Sequence, residues 1–208
     1  MLRRLVRPAR ADDAEPDVLV QTERPEFEWA GQAAVQVGTV VHRWLHRIAD
    51  DGVHKWDGER VAERERRFLA ELGLLGVGKG ELSWAATRVV NALQKVLDDP
   101  RGRWLLTDHP QARSELAVTV STGEGLEHLR LDRTFVDDEG MRWIVDFKTS
   151  AHEGGATEEF LGSEVERYRP QLERYALAMS KLEDRPLRVG LYFPLLQAFE
   201  DWAPELHL

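Results

Sequence analysis

Apolar residues at Val37, Val40, Val41, Trp44, Leu45 and Ile48 fall three and four apart, the spacing of one helical face, and predict a helix over residues 37–48. At ~100 degrees per residue, His42 projects roughly 130 degrees from the centre of that stripe and His46 nearly opposite it, so neither is expected in the core. Two more helices are expected at about 57–74, around Val61, Phe68, Leu69 and Leu72, and at 81–98, around Leu82, Ala85, Ala86, Val89, Val90, Leu93, Val96 and Leu97. The Gly-rich GVGKG between them matches neither nucleotide-binding glycine pattern and reads as a linker. Trp44, Trp84 and Trp104 could stack on bases, although spaced aromatics more commonly lie in a core.

The pattern then changes to a period of two. SELAVTV at 114–120 alternates as a half-buried strand, with Glu115, Ala117 and Thr119 on one face and Leu116, Val118 and Val120 on the other. Leu129 to Val136 and Met141 to Phe147 flank an acidic Asp-Asp-Glu-Gly connection, the signature of two antiparallel strands joined by a turn. A helix is expected over about 162–181, where Tyr168, Gln171, Tyr175 and Met179 recur at three and four. Pro170 should kink it or mark the first turn of its main part, near Arg169. LRVGLYFP at 187–194 reads as a buried strand, followed by a short tail. The expected order is an N-terminal helical layer, then strand, strand, strand, helix, strand, an α/β domain over 24–208. Residues 1–23 hold no sustained period and are expected to form an extended arm or linker.

Composition narrows the chemistry. The 208-residue chain has no cysteine, which excludes disulfides, thiolate catalysis and cysteine-held zinc or iron-sulfur clusters, so any metal must be held by oxygen and imidazole. No apolar run reaches membrane-spanning length and the N-terminus has no secretory h-region; a soluble, cytoplasmic protein is expected. A net charge of -9 argues against a protein that coats DNA, but an enzyme with a local basic channel remains compatible with it. No Gly-x-x-x-x-Gly-Lys-Ser/Thr loop marks a motor within the chain.

The candidate chemistry lies in LRLDRTFVDDEGMRWIVDFKT, residues 129–149. Asp132 is on one strand and Asp146 on the next, and Lys148, two residues beyond Asp146, leaves the sheet on the same face. Carboxylates on neighbouring strands can share a hard divalent cation, and a lysine beside them can stabilise or help deprotonate a water on it. Asp-x-Lys alone is most often a solvated strand end in so charged a chain; its company is what gives it weight. On the last helix Gln171 and Tyr175, four apart, share a face and can reach a common point, the lysine or a DNA phosphate. His152, in the Gly-rich and acidic loop AHEGGATEEF, is an extra candidate contact without a spacing partner.

Together the GTVVH helix, Glu115, the LDR and DFKT strands and the Gln-x-x-x-Tyr helix resemble the RecB/AddA-type branch of the PD-(D/E)xK nuclease superfamily over about residues 37–195. The resemblance implies a restriction-endonuclease-like core with a mixed central sheet flanked by helices. It implies Mg2+ or Mn2+ held by Asp132, Asp146 and the backbone carbonyl of Phe147, with His42 as an auxiliary ligand and Glu115 near the active centre. Asp146, Lys148, Gln171 and Tyr175 would join Asp132 in catalysis. It further implies DNA as substrate and a helicase, in the same parent chain or as a partner subunit, that processes DNA breaks. Two positions depart from the pattern: Arg130 stands where the family usually has a glycine, and DFKT replaces DYKT. Arg130 puts a bulky side chain near the expected metal site, where it could meet a phosphate. The alternative is a catalytically silent DNA-binding or scaffolding module that keeps the fold; retention of Asp132, Asp146 and Lys148 together argues against it.

Overall fold

In the computed structural model, residues 26–122, 125–150 and 157–206 are described. The expected arm at 1–23 and the loop carrying His152 lie outside these residues. Strands β1 (Arg113–Thr122), β2 (Gly125–Val136), β3 (Arg142–Phe147), β4 (Leu187–Phe193) and β5 (Ala198–Trp202) form one sheet in sequence order. Neighbours are antiparallel except β3 and β4, which run parallel. A parallel pair needs a long crossover, and α6 (Thr157–Ser180) supplies it. The acidic turn between β2 and β3 is tied by Asp137, whose Oδ1 accepts from the Glu139 and Met141 N–H groups while Gly140 takes the left-handed φ of 82° that favours glycine.

The sheet separates two apolar cores. On one side lie α1 (Glu26–Asp51), α2 (Gly58–Ala62), α3 (Glu65–Leu74), α4 (Leu82–Asp98) and α5 (Pro100–Leu106), and the α1 stripe of Val37, Val40, Val41, Trp44, Leu45 and Ile48 is buried there. On the other side α6 covers Leu116, Val118, Val120, Leu129, Leu131 and Ile144 with Leu172, Tyr175, Ala176 and Met179. The alternation of 114–120 is therefore realised, its apolar residues turned to α6.

Several elements differ from the sequence expectation. The first helix extends well beyond 37–48, from Glu26 to Asp51, and its earlier turns carry Ala33 into the same core as the stripe. The single helix expected over 57–74 is two, since Asp57 caps a short α2 by accepting from the Arg60 N–H and the chain re-initiates at Glu65. The unexpected α5 is started by Asp99, which accepts from Arg101 and Gly102 N–H groups, and by Pro100 in its first turn. The helix expected from 162 begins at Thr157 and passes through Pro170 without restarting there. The tail is the edge strand β5, secured by the Arg188–Asp201 ion pair. Trp44 is buried and Trp104 packs edge-on to Phe135 and Trp143, so both serve the core rather than a base-stacking surface. Trp84 is exposed, with the Arg88 guanidinium over its ring.

Candidate active site

The site is built where the sheet comes apart. The β2–β3 ladder ends at the pair Arg133 and Val145, and the β1–β2 ladder skips from Ser114–Arg133 to Leu116–Leu131. Asp132 lies in both gaps. Its side chain supplies an acceptor there: Oδ2 receives the Phe147 N–H at 3.0 Å. Across from it Glu115 adopts a left-handed φ of 53°, a conformation uncommon for a residue with a Cβ. From the helical layer His42 brings Nδ1 to 3.3 Å from the same Asp132 oxygen, and its ring also hydrogen-bonds the Phe147 backbone carbonyl. One turn before His42, a Cβ on Gly38 would come within 3.0 Å of Thr149 Oγ1, so glycine there lets α1 approach the end of DFKT.

On the other face, Lys148 Nζ lies 2.8 Å from Asp146 Oδ2 and 3.7 Å from the centre of the Tyr168 ring. The Lys–Asp contact is an ion pair rather than an aligned hydrogen bond, leaving that buried oxygen with acceptor capacity. Gln171 Nε2 donates to Asp146 Oδ1 at 3.3 Å and to the Tyr175 hydroxyl at 2.7 Å. The pairing expected of Gln171 and Tyr175 on one helix face is present, with Tyr175 largely buried. Behind them the buried Glu164 accepts from Ser150 Oγ at 2.9 Å, which ties α6 to the segment after Lys148. Sequence reasoning assigned no role to Tyr168; its position three residues before Gln171 was the available signal. It also missed the ion pair of Glu115 Oε2 with Arg130 Nε, at 2.6 Å.

The profile of the PD-(D/E)XK nuclease superfamily matches residues 19–200. The chain belongs to that superfamily. No curated protein matches the chain. A solved structure described as "Crystal structure of SSO0001" is similar at 16% identity and a TM-score of 0.35, covering 71% of this chain and 64% of that one. This chain thus spans less than two thirds of that chain's length. Among the described residues, no helix is long and apolar enough to cross a membrane.

For a PD-(D/E)XK nuclease the question is whether these residues can hold a divalent cation. Ligand atoms of His42, Glu115 and Asp132 all lie within 4.8 Å of one another. Oxygen and imidazole donors suit hard or borderline cations. Electrostatics point the same way. Burial would lower the His42 pKa, but the hydrogen bond and charge of Asp132, the charge of Asp146 and the Phe147 carbonyl outweigh it and raise the pKa above the usual histidine value. The ring thus sits among acceptors that favour positive charge. Burial and the charge of Asp132 push Asp146 up to about 6, against the opposing pull of Lys148 and His42. Burial likewise raises the Tyr175 hydroxyl, opposed by its bond from Gln171. A carboxylate crowded against another and only partly neutralised by a lysine favours further positive charge beside it. The donor set fits.

Proposed function

We propose that this chain hydrolyses phosphodiester bonds in DNA with Mg2+ or Mn2+, as the RecB/AddA-type nuclease domain of a DNA-break-processing helicase-nuclease. The observation that carries the reading is that His42, Asp132 and the Phe147 carbonyl meet at the DFKT strand, whose Asp146 feels the charge of both His42 and Asp132 and is held by Lys148 and by Gln171 with Tyr175. Asp132, Asp146, His42 and the Phe147 carbonyl would hold the cation, with Glu115 as an added carboxylate. When bound, such a cation supplies Lewis-acid stabilisation of phosphoryl oxygens and acidifies water.

The remaining work falls to the chain's own groups. Asp146 and the Tyr168 ring fix the Lys148 ammonium, whose charge offsets negative charge growing on the scissile phosphate and whose Nζ orients the attacking water. Gln171 holds the second Asp146 oxygen, so the carboxylate cannot rotate away from the lysine without losing that bond. Tyr175 in turn fixes Gln171. The helicase context rests on the sequence resemblance and suits an acidic chain in which no motor motif was found.

The test is incubation of the purified chain with linear single-stranded, linear duplex and circular DNA, in Mg2+ or Mn2+ against chelator. Asp132→Ala plus Asp146→Ala serves as the control. Metal-dependent loss of linear substrates by the wild type alone is expected. DNA binding without cutting under any condition would favour the silent scaffolding module instead.

A further inference from the structure

We propose that Arg130 controls the use of Glu115 as a cation ligand: it holds that carboxylate in the metal-free protein and, once a divalent cation claims it, is freed to contact a phosphate of the substrate. The proposal rests on the cation site put forward above. Glu115 faces the gap at Asp132, and Arg130, two residues before Asp132 on β2, is its diagonal neighbour across the β1–β2 pair. Their contact is short, Arg130 Nε to Glu115 Oε2 at 2.6 Å. The same glutamate has a carboxylate oxygen within 4.8 Å of ligand atoms of His42 and Asp132. One carboxylate is therefore within reach of a guanidinium and of a candidate coordination site.

The two uses compete by charge. A carboxylate beside Asp132 gains from a positive partner, and Arg130 provides one while the cation is absent. A dication drawing on Glu115 repels the guanidinium and weakens its hold on that oxygen. The pair is also easily separated on the arginine side, since Arg130 is 72% exposed while Glu115 is 25% exposed.

The freed guanidinium has somewhere to act. It lines a cavity of about 520 Å³ together with Gly38, Thr39, His42, Arg43 and His46. The neighbouring Arg43 is engaged by Glu71 at 3.1 Å and His46 by Asp50 at 2.9 Å. Of the two arginines that line it, Arg130 is the one whose partner, Glu115, belongs to the site itself. A phosphodiester entering this cavity would meet a planar donor suited to two phosphate oxygens. Cation binding and DNA binding would thereby strengthen each other, because each favours the arginine leaving Glu115.

The experiment is a Mn2+ titration by calorimetry, without DNA, on the wild type, Arg130→Ala, Glu115→Gln, the double variant and Asp132→Ala. Arg130→Ala should tighten Mn2+ binding by roughly three- to tenfold, and adding Glu115→Gln should remove that gain. In a Lys148→Ala background, used to slow cutting, Arg130→Ala should also abolish most of the Mn2+-induced gain in affinity for a labelled oligonucleotide. Unchanged or weaker Mn2+ binding in Arg130→Ala, or a gain that survives Glu115→Gln, overturns the proposal while leaving the cation site standing. Equal Mn2+ binding by the wild type and Asp132→Ala refutes the site, and the proposal with it.

Discussion

The Asp132 carboxylate takes the backbone N–H of Phe147 at 3.0 Å, at the point where the ladder between their strands has ended. The same residue is thus both a candidate ligand and a replacement for a missing sheet hydrogen bond. Asp132→Ala should lose Mn2+ binding and also cost about 1–3 kcal/mol of stability in chelator, through an unpaired N–H. Asp132→Asn keeps an oxygen acceptor and should lose most metal affinity with a smaller stability change. Thermal melts in chelator, beside Mn2+ calorimetry, separate the two effects; identical melting losses in both variants would deny the structural part.

Lys148 should matter to cutting more than to binding. Lys148→Ala leaves the carboxylates in place, so Mn2+ should still bind while single-turnover cleavage falls by ~10²–10⁴-fold. Lys148→Arg should not restore the rate, since a guanidinium stays protonated and its planar fork differs from an ammonium. Cleavage by Lys148→Ala near the wild-type rate would make this lysine an ordinary strand-end charge.

Cation binding should weaken on acidification. Metal needs a neutral imidazole and an ionised carboxylate, and both His42, raised above 6.5, and Asp146, raised to about 6, hold protons at mildly acidic pH. Calorimetry at pH 6.5 in buffers of different ionisation enthalpy should show proton release on Mn2+ binding, and release should be smaller at pH 8.

The same shifts set the stability of the metal-free protein. Both folded pKa values exceed their unfolded ones, so the folded state binds more protons, and stability falls as pH rises through about 4 to 6 for Asp146 and above 6.5 for His42. Between pH 5.5 and 8 in chelator the melting temperature should drop, and Asp146→Asn should add on the order of 1–3 kcal/mol of stability at pH 8. A melting temperature that climbs with pH over this window would contradict the crowding of charge at Asp146.

Salt should affect the isolated chain strongly. With a net charge of -9, few cations are free to hold the phosphate backbone, so cleavage of dilute DNA should be slow and should fall about three- to fourfold per phosphate contact between 50 and 200 mM salt, as counterion release requires. Fast cutting that resists salt would count against the view that a partner delivers the DNA.

The sequence made much of the fold legible because its periods are long and regular: the α1 stripe from Val37 to Ile48, the alternation from Leu116 to Val120 and the α4 face all appear where the spacing places them. The turn around Asp137 and Gly140 was readable from its residues alone. The chain segments that escaped are short or set by tertiary contacts. α5 has one turn's worth of apolar residues and depends on the Asp99 cap, while β5 gains its place from Arg188 and from Phe199 lying against Gly190. At the site, Asp146 and Lys148 follow from a period of two. The break in the ladders at Asp132 does not, because nothing local in LRLDRT announces that two partner strands part there. Nor could spacing show that Arg130 would reach back to Glu115.

The fifth strand also determines how short a working version of this domain can be. Truncation after Leu195, where the sequence resemblance ends, strips the cover from β4 along its outer side, where Val189 through Phe193 are paired with Trp202 through Ala198. Those five residues are buried, so their loss of a neighbour would present an apolar strand with open backbone groups, a template for joining other copies edge to edge. Solubility of the shortened polypeptide, rather than its chemistry, would be the first property to fail.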